Sequence, residues 1–254
     1  MASTTTARRV LWTLAGAATL LLLWSILATA YPPILVPSPL DVLAEISRLA
    51  AQGKLWPELS VTVTRLLIAY GLGVSLGIAL GLVAGQRASL SQFLRPMMAV
   101  AGGFPPIAWV ALALIWFGTG SLTPIVVAVL VAMPVVFVAT SEGVRAIDRD
   151  LLTMVRVYGL RGRHLLREFY LPALSPYLLS GLTAAATLTV RVGIMGEFLG
   201  SDSGVGSAMA LARTQLNTAG VLAWIIIALG LLAGIEDLLL RPLALHTTAW
   251  RRGV

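Results

Sequence analysis

The chain has no cysteine among its 254 residues and only two histidines, His164 and His246. Disulfides, thiolate metal sites and cysteine nucleophiles are thereby excluded, and an imidazole metal cluster would lack ligands. Charge is scarce as well: Asp, Glu, Lys and Arg make up 11% of the residues, under half of the roughly 25% usual in soluble domains. There is no Gly-x-x-x-x-Gly-Lys-Ser/Thr loop, so no nucleotide site is expected in this chain. No set of acids and histidines converges on one membrane face either, which argues against an enzyme, and no catalytic, cofactor or metal residue is assigned. What the chain has in quantity is apolar length: 58% of it is hydrophobic and its mean hydropathy is +0.90. It belongs in a bilayer. The net charge of +7 could suggest nucleic acid, but the basic residues sit between apolar runs, where the positive-inside rule explains them, and no nucleic-acid partner is expected.

A membrane span needs about 20 mostly apolar residues. Six segments qualify, at about 10–30, 59–85, 93–117, 124–141, 176–199 and 220–240, within a single domain covering 1–254. The first ends in Ala28-Thr29-Ala30, which looks like a signal-peptidase site, yet its length favours a retained span. With the N-terminus inside, Arg8, Arg9, Arg87, Arg95, Arg241, Arg251, Arg252 and the group from Arg145 to Arg167 all face the cytosol. Only Arg48, Lys54 and Arg213 then lie outside. The expected fold is all-α and polytopic, in a bacterial plasma membrane with both termini cytosolic.

The first outer loop carries its own helix signal. Ser38 reads as an N-cap, Pro39 as the first helical residue and Asp41 as an acid in the first turn. Leu40, Leu43, Ile46 and Leu49 then suggest an apolar stripe on an interfacial helix.

Inside the spans, Gly73, Gly77, Gly81 and Gly85 form a four-residue ladder that predicts close helix packing. Gly102-Gly103-Phe104-Pro105-Pro106 interrupts the third span, because two prolines remove two amide donors. The freed carbonyls must face protein or water, so the break is either a kink beside a pathway or a packing kink. Arg65, Arg191 and Glu197 are ionisable residues within spans, about 9, 12 and 3 Å from the outer surface at about 1.5 Å per residue. Arg191 and Glu197 are about 120° apart on their helix and poorly placed to pair with each other. Arg65 or a second copy of the chain could supply partners. Two readings stay open for these groups, a buried structural ion pair or a polar lining of an outward-facing cavity.

Between spans four and five lies a cytosolic loop, 142–175, with a helix-Gly-helix pattern. Asp148 and Asp150 favour a helix start, Leu151, Leu152, Val155 and Tyr158 make an apolar stripe, and Gly159 is placed to end the helix. A second short helix is expected from Arg163 to Tyr170, with Pro172 as its stop. Arg149, Arg156 and Arg163 stud this segment, which suits it for docking rather than for lipid alone.

This loop resembles that of permease subunits of binding-protein-dependent ABC importers, in which a Glu-Ala-Ala triplet precedes a glycine and a Leu-Pro follows at fixed spacing. Gly159, Leu171 and Pro172 match; Thr153, Met154 and Val155 stand where the triplet would be, and Phe169 replaces the usual isoleucine. The stretches Leu35 to Pro39, Phe104 to Trp109, Ile115 to Gly118 and Glu197 to Gly206 are similar to the nitrate, sulfonate and taurine branch. That resemblance implies a homodimer of six-span subunits, two ATPase subunits on the cytosolic loops carrying ATP and Mg, and an extracytoplasmic solute-binding protein. Arg149, Leu152, Val155, Arg156, Gly159, Arg163, Leu171 and Pro172 would form the ATPase dock. Arg65, Phe104, Pro105, Pro106, Arg191 and Glu197 would lie along the translocation pathway. The solute would be a small anion such as a sulfonate, taurine or nitrate, or alternatively a vitamin or precursor such as riboflavin or a thiamine pyrimidine. The competing classes are a stand-alone secondary carrier and a membrane scaffold.

Overall fold

A computed structural model describes residues 2–158 and 162–235, and they are helical nearly throughout. Helix α1, Ala2–Ala30, meets the segment that follows it near its end, where Trp24 Nε1 donates to Pro37 O at 3.0 Å. Helix α2, Pro39–Ala51, starts in a reciprocal capping box: the Ser38 hydroxyl accepts from Asp41 N and Asp41 accepts from Ser38 N. The Ser38 hydroxyl and amide hold the Asp41 carboxyl below its ordinary value. The expected apolar stripe is only half right. Val42 and Leu49 are buried and Ile46 is partly so, whereas Leu40 and Leu43 point outward at 76% and 59% exposure. Val42, Ile46 and Leu49 follow the 4-then-3 spacing of one helix face, which a strict three-residue count drifts away from.

Three long helices form the centre: α3, Leu55–Gln86; α6, Leu122–Arg145; and α9, Leu171–Gly200. The glycine ladder of α3 lies directly against α6. A Cβ built on Gly77 would come within 2.7 Å of Val136 Cβ, one on Gly81 within 2.6 Å of Thr140 Cβ, and one on Gly85 within 2.5 Å of Val144 Cβ. Two four-residue ladders thus interdigitate at backbone distance. On the other side of α6, Gly181 of α9 meets Ala139, and Gly196 meets the backbone of Pro124.

The third span is two helices, α4, Ala88–Gly103, and α5, Pro106–Phe117, bent by 95° across Phe104-Pro105. Pro105 has no N–H to return to the Ala101 carbonyl four residues back, and the Trp109 indole N–H takes that place at 3.2 Å. Counting the bent pair as one, the described residues hold six helices or helix pairs long and apolar enough to cross a membrane.

The segment expected to be the cytosolic loop differs from the sequence reading in one respect. Helix α7, Arg149–Val157, begins where expected, with Asp148 Oδ1 accepting from Asp150 N at 2.8 Å. Helix α8, Gly162–Leu165, then passes through a π segment, Leu166–Tyr170, straight into α9. Pro172 therefore does not stop a helix. It sits in the first turn of α9, and the widened π turn before it relieves the clash that its ring would make with the carbonyl four residues earlier. Gly159 and the side chains of Arg149, Leu152 and Arg156 lie outside the described residues.

The short helix α10, Val205–Thr214, leads into α11, Thr218–Ile235, which is the sixth span; its expected end at 240 lies outside the described residues. Helix α10 was not expected from the sequence, although Val205, Met209 and Ala212 have helical spacing. It packs with α2 and α11 around Val42, Leu49 and Trp224. Glu45 of α2 ties the corner, accepting from Arg48 at 2.5 Å and from the Asn217 amide at 3.2 Å. Chiefly through Arg48, its carboxyl is held below the ordinary value despite partial burial.

Candidate functional site

The outer ends of α3 and α9, the start of α10 and the α5–α6 turn meet at a buried polar centre. Glu58, Thr62 and Arg65 are spaced i, i+4 and i+7, so they share one face of α3. Arg65 Nη1 lies 3.0 Å from Glu197 Oε1, with the residues 5% and 1% exposed. The remaining Arg65 donors are also engaged: Nη1 with Ser203 O at 2.6 Å, Nη2 with Ser203 Oγ at 2.8 Å, and Nε and Nη2 with Ser121 Oγ at 3.1 and 2.9 Å. All five N–H groups of the guanidinium have acceptors within the chain.

Glu197 is equally well served. Its Oε2 accepts from the Thr62 hydroxyl at 2.7 Å and from Gly206 N at 3.1 Å, and Thr62 Oγ1 accepts in turn from Val205 N at 2.8 Å. The carboxylate thus sits at the positive end of α10. Gly204 N donates to Glu58 Oε2 at 2.5 Å. Gly204 has φ +98°, and a Cβ there would lie 2.5 Å from the Glu197 carboxyl carbon. Only glycine lets the chain turn this close to the acid.

The structure therefore brings Arg65 and Glu197 together and seals them inside. It leaves Arg191 elsewhere: that side chain is exposed on α9 and makes no hydrogen bond or ion pair among the described residues. Glu58, Thr62, Ser121 and Ser203 belong to the same centre and went unnoticed in the sequence. The signal was there for Thr62 and Glu58, one and two turns before Arg65 on the same helix face, and Ser203 lies within the Glu197 to Gly206 stretch; nothing local marks Ser121.

At the broken span, Phe104 is 42% exposed and its ring packs against Trp109 with centroids 5.3 Å apart. Pro105 is exposed and Pro106 partly buried. Trp109 and, from α9, Leu188 pack on one core cluster around Val110, Ala113 and Val192, so the break and the middle of α9 lie at one level. In the segment between α6 and α9, Arg163, Leu171 and Pro172 are exposed and Val155 is partly buried. Leu151, Met154 and Tyr158 are 50%, 52% and 77% exposed, an apolar surface that none of the described residues covers.

Comparisons with known proteins agree with this geometry. In fold, the chain is similar to a chain in an inward-facing structure of the MetNI methionine ABC transporter, with a TM-score of 0.56 and 17% identity over 72% of this chain and 93% of the other. Its sequence is 33% identical to SsuC of Escherichia coli K12, a permease named for aliphatic sulfonates transport, over 84% of this chain and 81% of that protein. It is 27% identical to the taurine transport system permease protein TauC of the same organism, over 96% and 90%. It is 28% identical to the riboflavin transport system permease protein RibX of Chloroflexus aurantiacus, over 87% and 85%. Residues 73–240 match the family described as the binding-protein-dependent transport system inner membrane component, and the chain belongs to that family of ABC importer permeases.

Proposed function

We propose that this chain is the membrane-spanning subunit of an ATP-driven importer for a small organic anion of the sulfonate or taurine kind. The observation that carries the reading is the cytosolic segment. Helix α7 is too short to span a membrane, presents exposed Leu151 and Met154 with Tyr158 just past its end, and leads through α8 and the π segment into the unbroken length of α9. A partner ATPase pressing on that surface acts on α6 and α9 directly. Two such subunits, which would hold ATP and Mg, dock on residues 142–175 of two copies of this chain. A solute-binding protein meets the opposite end, where α2 and α10 lie, and both termini are cytosolic. The chain itself hydrolyses nothing.

ATP-driven closure of the partners would move α7 and α8 and so tilt α9 against α6, exchanging outward-open and inward-open states. The passage runs between the two copies beside Phe104, Pro105 and Pro106. Arg191 faces it, while Arg65 and Glu197 shape its outer wall from within. Relatives named for sulfonate and taurine transport support the anionic solute. The riboflavin relative, at similar identity, supports a vitamin as the second reading. Thermal-shift measurement on the cognate binding protein separates them. Alkanesulfonates are expected to raise its melting temperature; stabilisation by riboflavin or a thiamine pyrimidine alone would overturn the anion assignment.

A further inference from the structure

Helix α9 exposes a face that does not suit lipid. Ser180, Thr183, Ala184, Thr187 and Arg191 are exposed or half-buried. At 100° per residue they fall within an arc of about 100°, and they run for about 16 Å along the helix. The buried face of α9, which includes Gly181, Ala185, Gly196 and Glu197, lies opposite. The exposed face of α3 has the composition that lipid selects: Leu67, Ile68, Leu72 and Leu76. A guanidinium left against hydrocarbon without a partner is strongly disfavoured, and Arg191 has none among the described residues, so water, an anion or a second copy would satisfy it. An open concavity of about 560 Å³ lies on the same face, lined by Leu179, Ser180, Thr183, Ala184, Thr187 and Leu188.

We propose that this face of α9 is the surface on which the solute rests during passage, with Arg191 and the Ser180 and Thr183 hydroxyls below it receiving an oxyanionic head and Leu179 and Leu188 flanking a short apolar body. The inference rests on the importer reading and refines its solute class. The chemistry favours an organic sulfonate or carboxylate over a bare inorganic anion, because the two leucines offer nothing to nitrate. Arg65 is not available for this role, since its five donors are used inside the chain. One chain leaves the face open on one side, and the facing copy completes it.

The natural absence of cysteine makes a direct test practicable. Single variants Ser180→Cys, Thr183→Cys and Ala184→Cys, with Leu72→Cys and Leu76→Cys as lipid-face controls, are assembled in nanodiscs with the cognate ATPase. Each is then treated with the anionic reagent sulfonatoethyl methanethiosulfonate and with a cationic analogue of the same size. The expected result is labelling of the α9 cysteines at least tenfold faster than the controls, slowed by butanesulfonate and not by nitrate at equal concentration. Adding Arg191→Gln lowers the anionic-to-cationic rate ratio at Thr183→Cys, and Arg191→Lys restores most of it. Cysteines on α9 that label no faster than the controls, or that only form disulfides between copies, would identify a packed interface and overturn the proposal. So would an unchanged rate ratio in Arg191→Gln. ATPase co-purification is scored on the same preparations: its failure counts against the importer reading, whereas an unreactive face in an assembled complex counts against this inference alone.

Discussion

Arg65 carries five donors on a planar fork, and the surrounding residues supply an acceptor for each, which a lysine with three donors on one nitrogen could not exploit. Removing it leaves Glu197 buried without its cation. Arg65→Ala should therefore destabilise the protein by about 3–5 kcal/mol, the usual penalty for breaking a buried pair. Arg65→Lys should fall between wild type and Arg65→Ala, and Glu197→Gln combined with Arg65→Gln should be milder than Arg65→Ala. Thermal unfolding in detergent checks the order; unchanged melting with lost uptake would instead mean that the pair serves the solute. Thr140 is the opposite case, a buried hydroxyl with no hydrogen-bond partner among the described residues, wedged against Gly81. Exchanging that hydroxyl for a methyl of the same shape in Thr140→Val should leave the melting temperature unchanged or raise it, because an unpaired buried polar group costs about 1–3 kcal/mol.

Helix α3 offers a matched comparison of glycines. A methyl on Gly81 would lie 2.9 Å from the Phe137 carbonyl as well as against Thr140, so the helices must part; a methyl on Gly71 meets nothing within 4 Å. Gly81→Ala should cost about 1–3 kcal/mol, whereas Gly71→Ala should cost nothing and stabilise by up to about 1 kcal/mol, as read by unfolding in detergent. At α2 the carboxyl of Asp41 is held low by Ser38, so its support of the helix is complete above the ordinary carboxylate pKa and fades as pH falls through the lowered one. Ser38→Ala should flatten that acid dependence in hydrogen exchange of the first turn of α2. What the sequence revealed about these elements follows the range of the physics involved. The spans, the glycine ladder, the α2 cap and the proline break depend on neighbours within a turn or two, and each was legible. Helix α10 was not, because it is short and its start is fixed by Glu58, Thr62 and Glu197, two of them more than 130 residues away. The continuation of helix through Pro172 was equally hidden, since a π turn leaves no mark in the hydrophobic period.

At the scale of the whole molecule, the two ends of the same helices do different things. One end is locked by the Arg65–Glu197 centre, while the other carries an apolar helix, uncovered among the described residues, that follows α6 and leads through α8 to α9. Gly159→Val, at the glycine between α7 and α8, should leave the protein inserted and bound to its ATPase but break the link between hydrolysis and uptake. The pairing of Arg65 with Glu197 was legible only as an open choice: the sequence placed both near the outer surface, and only the packing of α3 on α9 decided between pair and lining. The central claim, that this chain moves solute on the strength of a partner's ATP, is tested most directly in proteoliposomes containing the chain, its ATPase and butanesulfonate-loaded binding protein outside. The account predicts butanesulfonate uptake that requires ATP inside and is abolished by Gly159→Val while hydrolysis continues; uptake by the chain alone, driven by a proton gradient without ATP, would contradict it.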